Sequence, residues 1–224
     1  MIDIGCNHGY GSQVIAGKAA SVTGIDISQE AIAIAQQNNS MSNLQFMLAQ
    51  ADKLPFPDAN FDAAVSFQVI EHIGDTNAYL AEIRRVVKPG GKVIFTTPNK
   101  VIRLAAGRAP WNRYHVREYT PGELAAVLRP VFESVTISGI YAKAAIYDVE
   151  YKRQIRKRQK QAEPGLRNLM SKLAHNIDKV TGWSERQTLA RLGGAPTYRD
   201  FFYKTETDAG RLDDALDLRA ICRR

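Results

Sequence analysis

The sequence predicts an α/β domain built on a mostly parallel sheet, and three observations support this fold class. The first apolar strand ends in a turn that contains Gly5 and Gly9. A second apolar run, VTGIDIS, ends in Asp26 one helix later, which is the spacing of a β-α-β unit. The later run KVIFTTP is apolar almost throughout, as expected of a parallel strand that is covered on both faces.

Caps and apolar periodicity predict the helices between these strands. Ser28 is the expected N-cap of a helix over QEAIAIAQQNNS, where Ala and Ile recur at helical spacing. An amphipathic helix over TNAYLAEIRRVVKPGG is expected to stop at 89–91, because Pro and Gly end helices. Thr120 and Glu123 have the spacing of a capping box, with Pro121 at the first helical position.

Several segments, taken in their order along the chain, carry a resemblance to a known family. They are the Asp-x-Gly-x-x-x-Gly turn at 3–9, Asp26 and Asp52 after the second and third strands, and the stretches LPFPDANFDAAVSFQVIEHI, VVKPGGKVIFTTPN and NRYHVREYTPGEL. The chain resembles the class I S-adenosylmethionine-dependent methyltransferases, in particular the small-molecule branch similar to the quinone-biosynthesis O-methyltransferases. The resemblance implies methyltransferase activity and S-adenosylmethionine as the cofactor.

The resemblance also implies a fold, a Rossmann-like three-layer sandwich with a seven-stranded, mostly parallel sheet and an antiparallel last strand. FESVTISGIY is the expected sixth strand and ALDLRAICRR the seventh. The roughly seventy residues between them far exceed what a hairpin needs. We therefore predict a single domain over 1–224, with a cofactor-binding core at 1–140, a helical insertion or substrate cap at 141–214 and the final strand at 215–224.

Cofactor contacts are assigned by the resemblance to residues at the ends of the first four strands. The assigned residues are Asp3, Gly5, Asn7, Gly9, Asp26, Ile27, Ala51, Asp52, Phe67 and Gln68. Asp26 would accept hydrogen bonds from the ribose hydroxyls, and Asp52 with the backbone of Ala51 would read the adenine amino edge. Asn7 replaces the family's middle glycine, and Asn tolerates a left-handed backbone better than other side chains do. We therefore expect the loop to persist.

Methyl transfer from a sulfonium mainly requires alignment and exclusion of water, and a base only where the acceptor holds its proton tightly. His72 follows Glu71 at the end of the fourth strand, and His115 lies in YHVREY after the fifth strand. Both positions belong to the sheet edge where ligands bind in α/β folds. The predicted catalytic residues are Glu71, His72 and His115, with one of the histidines as general base. A structural, hydrogen-bonded histidine is the alternative for each.

A metal is not predicted. Some quinone-branch enzymes carry Glu-x-x-Glu-His at the fourth strand and hold a divalent cation with it, whereas this chain has Gln68 before Glu71 and His72. The lost carboxylate removes one charge from a hard-cation site. Four aromatic residues near this edge either line an acceptor pocket or pack in the core, namely Trp111, Tyr114, Tyr119 and Tyr141.

The net charge of +7 is concentrated in the last third of the chain. Residues 151–224 hold 17 Lys and Arg against 9 Asp and Glu, and residues 1–150 hold 13 against 14. The basic stretch at 151–172 is explained either as a solvated helix face or as a contact with an anionic membrane surface or a phosphorylated carrier. Nucleic acid is the least favoured partner, because SFQVIEH lacks the Asn-Pro-Pro-Tyr-like clamp of base-flipping enzymes.

Composition and the amino terminus bear on location. No stretch is apolar enough for a membrane span and the first residues do not read as a signal peptide, so a cytoplasmic location is expected. Cys6 and Cys222 are then expected to be free packing residues. Because Met1 falls inside the first strand, we expect either residues upstream of it or a less stable sheet.

Three functions are consistent with these patterns. The favoured one is methyl transfer to a small-molecule or glycan/lipid-type acceptor, at an oxygen. The alternatives are a non-catalytic cofactor-binding module, supported by Asn7, and an RNA-modifying methyltransferase that uses the basic insertion and binds less tightly as salt increases. The acceptor itself and the oligomeric state are not predicted.

Overall fold

One mixed β-sheet organises the protein in the computed structural model, which describes residues 1–162, 201–205 and 212–224. The strands are β1 (Ile2–Ile4), β2 (Val22–Asp26), β3 (Leu44–Leu48), β4 (Phe61–Phe67), β5 (Val87–Pro98), β6 (Ser134–Ala142), β7 (Phe201–Thr205) and β8 (Asp217–Arg223). Their order across the sheet is β3-β2-β1-β4-β5-β8-β6-β7. Strands β1 to β5 pair in parallel, whereas β8 runs antiparallel to both β5 and β6.

The predicted fold class, a Rossmann-like three-layer sandwich, is confirmed, and its seven expected strands are all present. The sheet also has an eighth strand, since β7 pairs antiparallel with β6 at the edge. This strand comes from the segment for which only a helical insertion was expected. The remainder of that insertion, at 163–200 and 206–211, lies outside the described residues.

Six α-helices cover the sheet within the described ranges. They are α1 (Tyr10–Ala16), α2 (Gln29–Gln37), α3 (Thr76–Val86), α4 (Lys100–Arg103), α5 (Pro121–Leu128) and α6 (Ala144–Ala162). The predicted caps are confirmed: Ser28 Oγ accepts from the Ala31 N–H, and Thr120 with Glu123 forms a capping box. None of these helices has an apolar stretch long enough to cross a bilayer.

One helix end differs from the prediction. Helix α3 ends at Val86, before the Pro-Gly-Gly at 89–91, and Val87 already pairs with Phe61 in the sheet. The chain thus passes from helix to strand without a loop. The helix ends where Val87 pairs with the sheet, before the chain reaches the Pro-Gly-Gly that was expected to end it.

Among the described residues the core forms three clusters. The largest joins buried residues of α3 and α5 to β1, β4, β5 and β8, a second joins α1 and α2 to β2 and β3, and a third joins α4 and α6 to β6. Cys6 and Cys222 are buried and free, as predicted. Tyr79 is fully buried on α3, and its hydroxyl donates to Ser66 Oγ at 2.6 Å, so its polar atom is satisfied within the core.

Asn99 ties the end of β5 to the chain that enters β8. Its Nδ2 donates to the carbonyl oxygens of Leu212 and Ala215, both at 2.9 Å, and its Oδ1 accepts from the Val101 N–H at 3.2 Å. The side chain is fully buried. This amide therefore fixes the start of β8 beside the carboxyl ends of the parallel strands.

We expect Asn99→Ala to lower the free energy of unfolding by about 2–4 kcal/mol, because two buried carbonyl oxygens lose their donors. Urea unfolding followed by circular dichroism measures the change. Asn77→Ala is the matched control, since Asn77 is exposed on α3, and it should raise stability by no more than about 0.7 kcal/mol through helix propensity. An Asn99→Ala protein as stable as this control would contradict the assignment.

Candidate active site

The turn after β1 has a left-handed backbone at three positions, each occupied by Gly or Asn. Gly5, Asn7 and Gly9 all adopt positive φ, of 76°, 47° and 80°. The expectation that Asn7 takes a left-handed conformation is thus confirmed. Asp3 does not reach the surface: its Oδ2 accepts from Ser12 Oγ at 2.6 Å, and burial raises its pKa. It joins β1 to α1 beneath the turn.

Asp26 is held rigidly at the end of β2. Its Oδ2 accepts from the Asn7 N–H and its Oδ1 from the Ser28 N–H, both at 2.9 Å. A carboxylate offers about four acceptor positions, so two remain for a ligand. The hydrogen bond from Asn7 also connects the turn after β1 to the carboxylate.

Apolar side chains lie exposed at or just after the carboxyl ends of β2, β3 and β4 and at the start of α1. They are Tyr10, Ile27, Leu48 and Phe67, with exposed fractions of 74%, 73%, 48% and 39%. Ala51 and the exposed Asp52 follow β3 in the adjacent turn. Apolar surface beside a fixed carboxylate fits a ligand that combines a flat ring system with vicinal hydroxyls. The residues present therefore fit S-adenosylmethionine.

The chain turns sharply after β4. Gln68 has φ 59°, and its Nε2 donates to Thr96 Oγ1 at 3.4 Å. The following 3-10 turn, Ile70–His72, carries Glu71 into the interior, where its residue is 1% exposed. Its Oε2 accepts from Thr97 Oγ1 at 3.0 Å, and its Oε1 has no hydrogen-bond partner within the described ranges. Burial raises the pKa of Glu71 to about 7.

The structure brings together the two histidines that the sequence placed at the same edge. The rings of His72 and His115 lie 4.7 Å apart at 89°. His72 Nδ1 lies 2.8 Å from the Tyr114 carbonyl oxygen, and His115 Nδ1 lies 2.7 Å from Glu118 Oε1. Because a carbonyl and a carboxylate both accept, each Nδ1 is the donor and each Nε2 is left unprotonated in the neutral ring.

Glu118 is a site residue that the sequence analysis missed. Its side chain is fully buried, and both of its carboxylate oxygens accept from Arg103 Nε, at 3.2 and 3.0 Å. Burial lowers the pKa of His115, and Glu118 opposes this shift. The only sequence signal for this pair is the i,i+3 spacing of His and Glu within HVREY.

A pocket of about 370 Å³ adjoins this network. It lies at the carboxyl ends of β4 and β5 under α6, and its lining is mostly polar: Gln68, Pro98, Arg103, Glu150, Arg153, Gln154, Leu216 and Asp217. Arg103 Nη1 donates to Gln154 Oε1 at 3.5 Å. Burial raises the pKa of Asp217 to about 6. Arg103 thus connects the pocket to Glu118 and, through it, to His115.

None of the four candidate aromatic residues is among the described residues that line this pocket. Tyr119 and Tyr141 are buried in the core, at 0% and 5% exposure, and Tyr114 is 62% exposed. Trp111 contacts two cations, with its ring centroid 4.5 Å from the guanidinium of the pocket-lining Arg103 and 3.9 Å from Lys157 Nζ. It therefore packs the segment before α5 against α6.

Comparison with known proteins agrees with this geometry. A family model described as a methyltransferase domain matches residues 2–95. A probable S-adenosylmethionine-dependent methyltransferase of Mycobacterium tuberculosis (strain ATCC 25618 / H37Rv) is 31% identical over 222 residues, which cover 99% of this chain and 75% of the relative. The ubiquinone biosynthesis O-methyltransferase of Pseudomonas putida (strain GB-1) is 33% identical over 106 residues, covering 45% of this chain and 44% of the relative.

The fold agrees as well. The crystal structure of an S-adenosylmethionine-dependent methyltransferase from Mesorhizobium loti aligns with a TM-score of 0.56 and 19% identity, over 100% of this chain and 89% of that one. The resemblance found in the sequence is therefore confirmed, and with it an enzyme rather than a non-catalytic module. The chain belongs to the S-adenosylmethionine-dependent methyltransferases and uses S-adenosylmethionine as its cofactor.

Proposed function

We propose that the enzyme methylates a hydroxyl oxygen of a small, polar acceptor bound in the pocket under α6, with His115 as the general base. The observation that carries this proposal is the buried His115–Glu118 pair, at 2.7 Å, next to the pocket-lining Arg103. The partial match to an O-methyltransferase supports oxygen as the acceptor atom.

The cofactor half of the proposal uses the ends of β1 to β4. S-adenosylmethionine, when bound, supplies a methyl group already activated by its sulfonium. Asp26 holds the ribose hydroxyls with its two remaining acceptor positions, and Ile27 covers the ring system with its exposed side chain. Ala51 and Asp52 meet the adenine edge. The turn that contains Gly5, Asn7 and Gly9 meets the methionine part, with Phe67 and Gln68 closing the site from β4.

His115 is preferred over His72 because of what each Nδ1 contacts. A carboxylate partner stabilises the imidazolium that forms when Nε2 takes a proton, whereas the neutral carbonyl that holds His72 does so less well. Because burial lowers the pKa of His115 below its ordinary value of 6.5, the ring is neutral at pH 7 and free to accept a proton. Glu118 acts as a positioning residue that fixes the tautomer.

The lining of the pocket supports the polarity of the acceptor. Six of its eight residues are charged or carry an amide, and only Pro98 and Leu216 are apolar. Such a lining favours a ligand with several hydroxyls over an acyl chain, because buried polar groups require hydrogen-bond partners. A sugar-type acceptor, free or glycan-linked, fits this lining better than a lipid tail does.

The basic stretch at 151–172 contributes less to this proposal than its charge suggests. Within its described part, Arg153 pairs with Glu150 at 3.0 Å and Lys157 lies over Trp111. These cations take part in the packing of α6 against the site. The rest of the basic stretch, 163–172, lies outside the described residues.

Transfer of a labelled methyl group from S-adenosylmethionine to a panel of sugars, phenols and amines tests the acceptor atom. We expect products methylated on hydroxyls, and products methylated on nitrogen alone would overturn the proposal.

His115→Gln should lower kcat by about 100- to 10,000-fold with the cofactor affinity unchanged. Glu133→Gln is the control, since Glu133 is exposed between α5 and β6, outside both halves of the proposed site.

We expect Asp26→Asn to weaken cofactor binding by about 10- to 100-fold, because an acceptor oxygen is replaced by an NH₂ group and hydrogen bonds to a charged acceptor contribute about 1.5–3 kcal/mol. Calorimetric titration with S-adenosylmethionine and with its demethylated product measures the change. Asp58→Asn is the control, because Asp58 is exposed and pairs with Arg85 instead. Equal affinities for the two variants would contradict the role of Asp26.

The pKa of His115 tests the role of Glu118 without an acceptor. Histidine NMR should show that the pKa of His115 lies below 6.5. The ring can therefore act as a base at neutral pH and loses this ability only as the pH falls through its pKa. Glu118→Gln should lower this pKa further, because the carboxylate that favours the imidazolium is gone. Glu133→Gln, an exposed change, should leave it in place. A raised pKa in Glu118→Gln would refute the coupling.

A further inference from the structure

We propose that Asp217 selects the acceptor, because its carboxylate accepts a hydrogen bond from a second hydroxyl that is not the one to be methylated. This assignment rests on the proposed function, since it adds a binding contact to the acceptor pocket. Asp217 begins β8, where its backbone pairs with Pro98 of β5 and Ile140 of β6. It is one of the residues that line the pocket under α6.

Of the two carboxyl groups in this lining, Asp217 is the one without a partner among the described residues. The other, Glu150, pairs with Arg153 at 3.0 Å. Asp217 forms neither a hydrogen bond nor an ion pair within the described part of the chain, and burial raises its pKa to about 6. The group is therefore mostly ionised at pH 7. A buried carboxylate without a partner is unfavourable, so Asp217 favours a ligand that donates a hydrogen bond to it.

Arg103 brings donors to the same pocket. Its positive charge lowers the pKa of Asp217, which places the two groups within electrostatic range of each other. Its Nε donates to Glu118, and its Nη1 donates to Gln154 at 3.5 Å. Its Nη2 has no acceptor among the described residues. The pocket thus offers a carboxylate acceptor and guanidinium donors that do not satisfy each other.

These two groups distinguish a hydroxyl from the charged alternatives. A hydroxyl both donates and accepts, so it can donate to Asp217 and accept from Arg103. An ammonium group only donates and would lie near the Arg103 guanidinium, whereas an ionised carboxylate only accepts and would lie near Asp217. A neutral acceptor with more than one hydroxyl is therefore the class that this pair of residues selects.

Asp217 and His115 have different tasks in this arrangement. Because Asp217 binds a hydroxyl that does not react, its loss should raise KM and broaden the choice of acceptors. Loss of His115 should instead lower kcat, because His115 takes the proton of the hydroxyl that does react. A second contact also orients the acceptor, since a ring that is held at two points cannot rotate about either one.

The test is methyl transfer to methyl α-D-glucopyranoside and methyl α-D-mannopyranoside, to their monodeoxy derivatives and to derivatives with one amino group in place of a hydroxyl. In the wild type, removal of one unmethylated hydroxyl should lower kcat/KM by about 10- to 100-fold, as expected for a lost hydrogen bond to a charged acceptor. In Asp217→Ala, the same removal should lower kcat/KM by less than about threefold, because that hydroxyl has already lost its partner.

Asp213→Ala is the matched control, since Asp213 is exposed in the turn before β8, and it should keep the wild-type pattern. S-adenosylmethionine affinity, measured in each variant, shows that the fold is intact. Equal losses in the wild type and Asp217→Ala would overturn the proposal. A fall in kcat with KM unchanged in Asp217→Ala, or a wild-type preference for an amino derivative over its parent sugar, would overturn it as well.

Carbon-13 NMR of the wild-type protein, labelled at the aspartate carboxyl groups, tests the contact without turnover. Arg103, Glu118 and Glu150 are the charged groups that act on Asp217, so its pKa is first measured in the protein loaded with the demethylated cofactor alone. Binding of either methyl glycoside should lower this pKa, because a donated hydrogen bond favours the carboxylate. An unchanged pKa at saturation, or no binding of either glycoside, would refute the assignment. A lowered pKa without methyl transfer would support Asp217 and contradict the proposed function alone.

Discussion

The burial of the Glu118 carboxylate is the constraint on which this active site depends. A fully buried carboxylate is costly unless charged or hydrogen-bonding partners surround it, and here Arg103 and His115 meet that need. The same contacts fix Arg103 against Trp111 and Gln154. One buried side chain thereby joins α4, the segment before α5, and α6 into a single polar unit.

The two halves of the site are built by different means. The proposed cofactor half is local in topology, because the carboxyl ends of parallel strands meet at one edge and three backbone N–H groups of the turn after β1 donate to β2. Those of Gly5 and Cys6 donate to the Ile25 carbonyl oxygen, and that of Asn7 donates to Asp26. The proposed acceptor half depends on long-range contacts. Asn99 fixes the start of β8, which brings Asp217 to the pocket, and Gln154 reaches Arg103 from α6.

This difference explains what the sequence predicted. The strand-turn pattern around Gly5, Asn7 and Asp26 lies within one β-α-β unit, so the fold class followed from it. The cofactor followed from the family resemblance that this pattern and the later segments carry together. Asp217 carries no pattern of its own and Glu118 only its i,i+3 spacing from His115, since the two come close only when β8 packs beside the segment before α5. Strand β7 was missed for the same reason: a short apolar run within a long insertion becomes a strand only because the edge of β6 is available to it.

Trp111 has a consequence for how this enzyme can be observed. Its ring contacts the guanidinium of Arg103, which lines the pocket, and the ammonium of Lys157 on α6. The chain has two tryptophans, and this one lies at the junction of the pocket with the Glu118 network. Indole emission responds to neighbouring charge, so the protein carries an intrinsic optical reporter at the proposed acceptor pocket. Any ligand that draws Arg103 away from the ring changes that signal.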